Sequence, residues 1–359
     1  MALEFAQATR RIPVYPAADG YSLSSDVAML ASNESPFAPL SEAVEAASRA
    51  LASTNRYPDP TNIRLRRALS DRYGVPAKRI AIGNGSCDVL LAAGEALLEP
   101  GAEIVYAWPS FSMYPHLAAA TGATAIAVAL DGEDRHDLDG MAREVTVATR
   151  MLVVCNPNNP TGTALAFADI ERLLGQVPSH VAVVVDEAYC EFSTLEDPDA
   201  SIDLLDAHPN LVLLRTFSKV YGLAGMRVGF ALCGAEELRI AVDQVRQPFF
   251  CNAAAQAAAT EALRHQDEVV RRVERTIAAR LELEEGLGRL GLEPTESHAN
   301  FVWFDLGEDR DEAEIVHGLA ERKVLVRAGA ALGREGALRV TCGTQQENRR
   351  FLAALRDLL

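Results

Sequence analysis

The chain has 359 residues, enough for about two domains, and its 49% hydrophobic and 23% charged residues are ordinary for a globular protein. Its formal net charge of −16 argues against binding to nucleic acid or to an anionic membrane surface. No run approaches the ~18 apolar residues of a membrane-spanning helix, and the N-terminal residues lack the apolar core of a signal peptide.

The cysteines and histidines exclude two further classes of protein. The six cysteines are scattered without a C-x-x-C pair, which is typical of reduced thiols in a cytoplasmic protein. The seven histidines form no cluster with metal-ligand spacing. We therefore expect neither a disulfide framework nor a metal site.

In chain order, residues 1–35 are rich in proline, lack periodicity and predict an N-terminal arm. Short apolar runs then alternate with amphipathic stretches, which is typical of strands joined by crossover helices. These runs lie at 79–82, 103–107, 123–130, 150–155, 180–185, 211–215 and 227–233. They predict a large α/β domain, 36–248, with a seven-stranded, mainly parallel sheet.

After Pro248 the pattern changes. Residues 252–290 are rich in alanine, arginine and glutamate and predict one long helix that connects two domains. Strand-like runs and helical stretches then alternate, at 300–306, 311–322, 324–328, 337–343 and 345–358. They predict a smaller C-terminal α+β domain, 249–359.

Lys219 is one of only three lysines, and it lies in the apolar, glycine-bearing run RTFSKVYGLAGMRVGF. It follows the strand-like stretch 211–214, at the sheet edge where open α/β sheets bind ligands. Thr216, Ser218 and Arg227 add hydroxyls and a positive charge to this amine. The set suits an aldehyde that carries a phosphate, such as pyridoxal 5′-phosphate (PLP) bound to lysine as a Schiff base. The alternative is a buried structural lysine beside an arginine.

Two more strand ends bear polar side chains. The fifth apolar run passes directly into Asp186, and a carboxylate with little water around it needs a cationic partner such as a protonated pyridine nitrogen. A turn-capping aspartate is the alternative. Tyr189 follows three residues later, within reach of the ring oxygen. In the loop NPNNPTG, Asn159 precedes a proline, which favours an extended backbone and an amide free to face a ligand.

Two glycine- and aromatic-bearing turns complete the candidate site. Gly85, Ser86 and Cys87 begin a helix after the first strand, so their N–H groups and hydroxyl could hold a phosphate, although a plain capping turn is commoner. Phe111 follows the second strand and could stack on a planar ring, although an ordinary core aromatic would fit equally.

Taken together, the motifs GNGS, PSFSMY, NPNNPTG, DEAY, TFSK and LRVTCGT resemble those of fold-type I aminotransferases. The similarity is greatest to the histidinol-phosphate and aromatic aminotransferase branch, and it extends over nearly the whole chain, from LASNESPFAP (30–39) onward. The resemblance implies a PLP-dependent homodimer with a large PLP-binding domain.

The resemblance also implies a role for each matched residue. Lys219 would bind PLP, Asp186 the pyridine nitrogen, Asn159 and Tyr189 the ring oxygen, and Phe111 the ring face. The phosphate would contact the set Gly85, Ser86, Cys87, Thr216, Ser218 and Arg227, with Tyr57 contributed by the neighbouring subunit. The substrate would contact Arg339, which would bind a carboxylate, and Tyr15, Asn33, Phe249 and Arg327.

The sequence departs from its relatives at three points. Relatives often have GNGSDE where this chain has GNGSCD, which weakens the phosphate contact expected at Cys87. Relatives that act on histidinol phosphate commonly have tyrosine at the positions of Phe111 and Phe249. Phenylalanine cannot donate a hydrogen bond to a phosphate, so the pocket favours an apolar side chain, while Tyr15 keeps its hydroxyl.

The leading hypothesis is transamination of phenylalanine or tyrosine with a 2-oxo acid such as 2-oxoglutarate, both small molecules using one site in turn. Its close rival is a histidinol-phosphate aminotransferase of histidine biosynthesis. A PLP-dependent decarboxylase on the same scaffold is a third hypothesis. A non-catalytic PLP-binding regulator would need a basic DNA-binding module, for which the acidic chain has no spare residues.

Overall fold

The computed structural model describes residues 3–5, 7–12 and 26–359. The strands of this part of the chain are β1 Ala28–Met29, β2 Ile80–Gly83, β3 Glu103–Trp108, β4 Thr124–Ala129, β5 Thr149–Cys155, β6 Ala182–Asp186, β7 Leu211–Thr216, β8 Gly229–Cys233, β9 Phe301–Asp305, β10 Val324–Leu325, β11 Arg327–Ala328 and β12 Ala337–Thr341. The α-helices are α1 Gln7–Arg11, α2 Ser41–Leu51, α3 Ile63–Tyr73, α4 Ser86–Leu97, α5 Met113–Thr121, α6 Leu138–Arg143, α7 Phe167–Gln176, α8 Glu236–Val245, α9 Ala253–Ala262, α10 Gln266–Arg289, α11 Glu312–Glu321 and α12 Gln345–Arg356.

The large sheet contains all seven predicted strands, in the order β2-β8-β7-β6-β5-β3-β4. Strand β8 runs antiparallel to both of its neighbours, and the remaining pairs are parallel. Every residue of β6, β7 and β8 is buried, as expected for strands with helices on both faces. The prediction of an α/β fold with a mainly parallel sheet is confirmed.

A smaller three-stranded sheet follows, in the order β11-β12-β9, with antiparallel pairing throughout. Strand β1 pairs with β10 in parallel, with Ala28 opposite Val324 and Met29 opposite Leu325. Beyond β1, the Ala31 carbonyl accepts a hydrogen bond from Arg339 on β12, and the Ser32 carbonyl accepts one from Lys219, which follows β7. This path places residues 31–34 at the junction of the two units.

The prediction of one long helix over 252–290 is wrong, because the stretch forms two helices, α9 and α10. The break lies at Leu263–His265, where His265 leaves the helical region with φ −109° and ψ 52°. Helix α9 buries one alanine face, Ala254, Ala255, Ala258, Ala259 and Ala262. No glycine or proline marks the break, so helix propensity alone could not reveal it.

The two helices differ in the core to which they contribute. Helix α9 and Val269 in the first turn of α10 pack in the core of the large sheet. Leu283 and Leu287, near the end of α10, pack in the core of the small sheet. The division into an arm (1–35), a large domain (36–248) and a small domain (249–359) stays a prediction, and we propose from this packing that α10 connects the two larger units.

Within the described ranges, no helix combines the length and the apolar character needed to cross a membrane.

Candidate active site

A cavity of about 420 Å³ lies at the edge of the large sheet where β5, β6 and β7 end. Its volume lies within the ~300–1,000 Å³ that is usual for small-molecule sites. The cavity brings together most of the residues predicted from the sequence: Asn33, Gly85, Ser86, Cys87, Phe111, Asn159, Asp186, Tyr189, Thr216, Ser218, Lys219, Arg227, Arg327 and Arg339. The structure thus groups residues that lie up to 306 positions apart, from 33 to 339.

Three predicted residues are not among those that line the cavity. Tyr57 and Phe249 lie on the surface of the same chain, where their rings stack with centroids 4.4 Å apart. Tyr57 is 81% exposed and Phe249 38% exposed, although both are large aromatic residues. Tyr15 lies outside the described residues.

Lys219 lies in the loop after β7, and its side chain points into the junction between the two units. Its Nζ donates a hydrogen bond to the carbonyl of Ser32 at 3.1 Å and lies 5.6 Å from the centroid of the Tyr189 ring. Burial, reinforced by the charges of Arg339 and Arg227, lowers the pKa of Lys219 to about 7, although Glu34 opposes the shift. The amine is therefore partly neutral, and hence nucleophilic, at neutral pH.

This lowered pKa predicts how the Lys219 amine reacts in the protein without cofactor. The double variant Lys78→Gln/Lys323→Gln leaves Lys219 as the only lysine side chain. Because only the neutral amine reacts, modification by a small acylating reagent should rise with pH and reach a plateau above the pKa of about 7. Mass spectrometry of the Lys219 peptide measures the rate. A rate that still climbs above pH ~9, as for an ordinary lysine, would contradict the prediction.

Asp186 is the last residue of β6 and is 4% exposed. One carboxylate oxygen, Oδ2, accepts a hydrogen bond from the Tyr114 hydroxyl at 3.0 Å, and Oδ1 accepts one from the Ala188 N–H at 3.3 Å. Burial raises the pKa of Asp186 to about 6. No ion pair of Asp186 occurs among the residues that the structure describes. The carboxylate therefore lacks the cationic partner that a buried charge needs.

The opposite end of the cavity is built around two glycines, Gly85 in the turn before α4 and Gly229 at the start of β8. Gly85 has φ +85° at the start of α4, and a Cβ there would lie 2.7 Å from Arg227 Nη2. A Cβ on Gly229 would lie 2.2 Å from the backbone nitrogen of Ser86. The absence of both side chains lets the helix start approach Arg227. N–H groups, hydroxyls and a guanidinium converge there, which suits a phosphate group.

Hydroxyl groups and Arg227 complete this end. The Thr216 hydroxyl donates to the Ser218 hydroxyl at 3.0 Å and accepts from the Ser218 N–H at 3.1 Å. Arg227 adopts the left-handed conformation with φ +56°, and its Nη1 donates to the Ala224 carbonyl at 2.9 Å. These contacts fix the loop that follows Lys219.

The side of the cavity near the C-terminal unit holds Asn159, Tyr189, Asn33 and Arg339. Arg339 on β12 donates through Nη1 to Asn159 Oδ1 and through Nη2 to the Ala31 carbonyl, the latter at 2.6 Å. The Tyr189 hydroxyl accepts from Asn33 Nδ2 at 3.0 Å. Burial raises the pKa of Tyr189 to about 12, so its hydroxyl stays protonated at neutral pH.

A buried network behind the cavity, not foreseen from the sequence, joins the loops that hold Phe111 and Asn159. Asn158 Oδ1 accepts from the Ser110 hydroxyl at 2.7 Å and lies 3.1 Å from His136 Nε2. Asn158 Nδ2 donates to the Pro109 carbonyl at 3.2 Å and to the Thr161 hydroxyl at 2.9 Å. The Asn158 side-chain amide therefore connects the loop that precedes Asn159 to Pro109 and Ser110, which precede Phe111.

Two direct partners of the predicted residues were also missed. Tyr114 donates to Asp186, and the backbone carbonyl of Ser32 accepts from Lys219. Tyr114 lies in the same PSFSMY motif as Phe111, three residues later, so the motif itself contained a usable signal. A backbone carbonyl has no signature in the side-chain sequence, and the Ser32 contact could not be found that way.

These features fit PLP. The cavity has a buried amine with a lowered pKa, a buried carboxylate without a cationic partner, and a glycine-lined turn beside Arg227. An aldehyde, a protonated pyridine nitrogen and a phosphate are the complementary groups, and PLP contains all three.

Comparisons with known proteins agree with this fit. A family model described as aminotransferase class I and II matches residues 25–355. The aromatic amino acid aminotransferase of Thermobifida fusca is 44% identical over 331 residues, 92% of this chain and 89% of that protein. Histidinol-phosphate aminotransferase 1 of Cupriavidus pinatubonensis is 42% identical over 334 residues, 93% of this chain and 88% of that protein. The crystal structure of histidinol-phosphate aminotransferase from Sinorhizobium meliloti in complex with pyridoxal-5′-phosphate has a TM-score of 0.84 at 29% identity, covering 92% of this chain and 90% of that one.

Proposed function

This chain belongs to the class I and II aminotransferases, PLP-dependent transaminases, and from that premise we propose that it transfers the amino group of phenylalanine or tyrosine to a 2-oxo acid such as 2-oxoglutarate. The observation that supports this substrate is Phe111, which lines the cavity and offers a ring without a hydroxyl. Leu332 adds a second apolar side chain to the wall. An aromatic side chain is better accommodated by such a wall than a phosphate, which needs donors.

Histidinol phosphate is the second candidate substrate, because Arg327 lines the same cavity as Arg339. Two guanidinium groups could serve two anionic groups, a carboxylate at one time and a phosphate at another. The relatives from Thermobifida fusca and Cupriavidus pinatubonensis are named for different activities, and they are 44% and 42% identical to this chain. Sequence identity therefore supports both candidate substrates about equally.

When bound, PLP supplies an aldehyde that captures the substrate amine and a ring that accepts electron density from the substrate α-carbon. We propose that Lys219 Nζ moves the proton to and from that carbon, since its pKa of about 7 suits general acid–base catalysis at neutral pH. Asp186 would hold a proton at the pyridine nitrogen, Asn159 and Tyr189 would orient the ring oxygen, and Arg339 would bind the substrate carboxylate. Gly85, Ser86, Cys87, Thr216, Ser218 and Arg227 would hold the phosphate.

The proposed substrate predicts how kcat/KM changes when a tyrosine hydroxyl is added to the pocket. The purified enzyme should show a higher kcat/KM for phenylalanine or tyrosine than for histidinol phosphate, with 2-oxoglutarate as acceptor. Phe111→Tyr should shift that ratio toward histidinol phosphate, by about tenfold if the new hydroxyl donates to the charged phosphate, and Phe249→Tyr should do so where a dimer brings Phe249 to the cavity of the partner. Phe250→Tyr is the matched control, because Phe250 does not line the cavity and packs instead against Arg246 at 4.7 Å.

A wild-type enzyme that favours histidinol phosphate by tenfold or more would overturn the aromatic assignment. Arg327 and Tyr15 would then be the first residues to substitute as phosphate contacts.

We also propose that the enzyme is a homodimer in which Tyr57 enters the cavity of the partner. The stacked, exposed Tyr57–Phe249 pair supports this, because two large aromatic rings at the surface of one chain are typical of an interface. Both residues would then reach the site that the single chain leaves without them.

Mixed dimers test this sharing. Lys219→Ala and Tyr57→Ala subunits should each have little activity alone, but a mixed dimer regains one complete site, in which the Lys219→Ala subunit contributes Tyr57 to the cavity of the other. Activity should therefore recover on mixing, and sedimentation should show dimers throughout. Full activity of a sedimenting monomer, or no recovery from confirmed mixed dimers, would contradict the shared site.

A cytoplasmic location is also part of the proposed function and rests on the scattered cysteines.

A further inference from the structure

Tyr114, in the first turn of α5, is fully buried beside Asp186, which lines the cavity. Its hydroxyl lies 3.0 Å from Asp186 Oδ2, across 72 positions of sequence. Its ring meets the Phe111 ring edge to face, with centroids 5.8 Å apart and an interplanar angle of 87°. One side chain therefore contacts both the carboxylate and the aromatic ring that are proposed to flank the PLP ring.

The donors around Asp186 are few. The Ala188 N–H contact to Oδ1 is long, at 3.3 Å, and no arginine or lysine pairs with the carboxylate among the described residues. The Tyr114 hydroxyl is thus the shorter of two hydrogen bonds to a buried anion, and hydrogen bonds to charged groups are the stronger class.

Tyr114 is suited to remain a donor. Burial, together with the nearby Asp186 carboxylate, raises the pKa of Tyr114 well above its ordinary value, so the hydroxyl keeps its proton. An ionised carboxylate can accept the hydrogen bond from the Tyr114 hydroxyl with either oxygen. A protonated carboxyl group has an O–H donor of its own, which would need a separate acceptor. The contact therefore favours the charged form of Asp186, against the desolvation that disfavours it.

We propose that Tyr114 is a positioning residue that keeps Asp186 charged and oriented for the pyridine nitrogen of PLP. This inference rests on the proposed function of Asp186 in the same site. Tyr114 acts through Asp186 and not on the substrate, so removing its hydroxyl weakens the binding of PLP and the turnover together.

A purely structural role is the alternative. The Tyr114 ring also packs 6.1 Å from the Tyr106 ring, and Tyr106, Tyr114 and Cys155 belong to the same buried core cluster. A structural residue would stabilise the fold through these contacts whatever the charge at position 186. The two roles therefore differ in whether the effect of Tyr114 depends on Asp186.

A double-mutant cycle separates them. Tyr114→Phe removes one hydroxyl and keeps the ring, and it is made in the wild type and in Asp186→Asn. The dissociation constant of PLP from the apo-protein is measured by fluorescence, kcat by steady-state assay, and the unfolding of the apo-protein by denaturant. Tyr106→Phe is the matched control, because Tyr106 is 4% exposed beside Tyr114 and its hydroxyl makes no hydrogen bond to another described residue.

In the wild-type background, Tyr114→Phe should raise the PLP dissociation constant by about tenfold or more, the loss expected for a hydrogen bond to a charged group. In the Asp186→Asn background the same change should have an effect below about twofold, because the charge that it supports is gone. Tyr106→Phe should have no such effect in either background.

Equal losses in both backgrounds would overturn the proposal and leave Tyr114 as a structural residue. So would a Tyr114→Phe protein that binds PLP like the wild type. If instead the proposed aminotransferase function is wrong, the wild-type protein itself will not bind PLP or will not transaminate, so the two failures are distinguishable.

Discussion

Lys219→Ala should abolish measurable transamination, a loss on the order of 10³–10⁴-fold or more, because it removes both the covalent attachment and the proton-transfer group. The other two lysines cannot replace it. Their side chains are 66% exposed at Lys78 and 55% exposed at Lys323, where they pair with Glu236 and Asp26. The variant should still fold and still hold PLP without a covalent bond, because Arg227 and Asp186 are unchanged.

Steady-state turnover and the visible absorption of the bound cofactor measure this result. Lys78→Ala and Lys323→Ala are the matched controls and should retain wild-type rates. A Lys219→Ala enzyme that turns over within tenfold of the wild type would show that the amine has no part in the reaction.

Asp186→Asn should lower turnover by about 10²–10³-fold, the size of loss seen when one charge-stabilising group is removed from an active site. The amide has the shape of the carboxylate and can still accept the Tyr114 hydrogen bond. It carries no charge, so the pyridine nitrogen loses the partner that keeps it protonated. Asp206→Asn is the control, since that side chain is 89% exposed. Turnover close to wild type with PLP bound would make Asp186 a structural cap.

In the apo-protein, Asp186→Asn should also change how the free energy of unfolding depends on pH. Burial raises the folded-state pKa of Asp186 to about 6 from the ordinary 3.8, so the folded state binds this proton more tightly than the unfolded state. The carboxyl group therefore favours folding at low pH, and that contribution is lost as the pH rises through 3.8 to about 6. Asp186→Asn should be more stable than the wild type above pH 6, and the difference should vanish toward pH 4. Denaturant unfolding across this range measures it.

The large sheet could be predicted because each of its strands is an apolar run bounded by turns. Strands β6 and β7 are buried along their whole length, so the length and the apolar character of the runs that contain them indicate these strands. The polar residues at their ends could be predicted for the same reason. Asp186 is the last residue of β6 and Lys219 lies three residues after β7, and parallel strands bring their carboxyl ends to one edge.

Contacts set by packing could not be predicted. The break between α9 and α10 is marked by no glycine or proline, although α9 packs its alanine face in the core of the large sheet and most of α10 lies beyond it. The Asp186–Tyr114 and Lys219–Ser32 hydrogen bonds join segments 72 and 187 positions apart, and no short motif specifies such pairs. Tyr57 and Phe249 were assigned to the site from resemblance, and a single chain does not bring them there.

Locating the covalent bond between the protein and PLP shows which lysine holds the cofactor. Borohydride reduction of the PLP-bound enzyme makes that bond permanent, and trypsin does not cleave after a modified lysine. If Lys219 holds the cofactor, the digest should contain an uncleaved peptide TFSKVYGLAGMR, residues 216–227, with a phosphopyridoxyl group on Lys219, in place of the separate peptides 216–219 and 220–227. A label on Lys78 or Lys323, with residues 216–219 and 220–227 recovered as separate unmodified peptides, would show that Lys219 does not hold PLP.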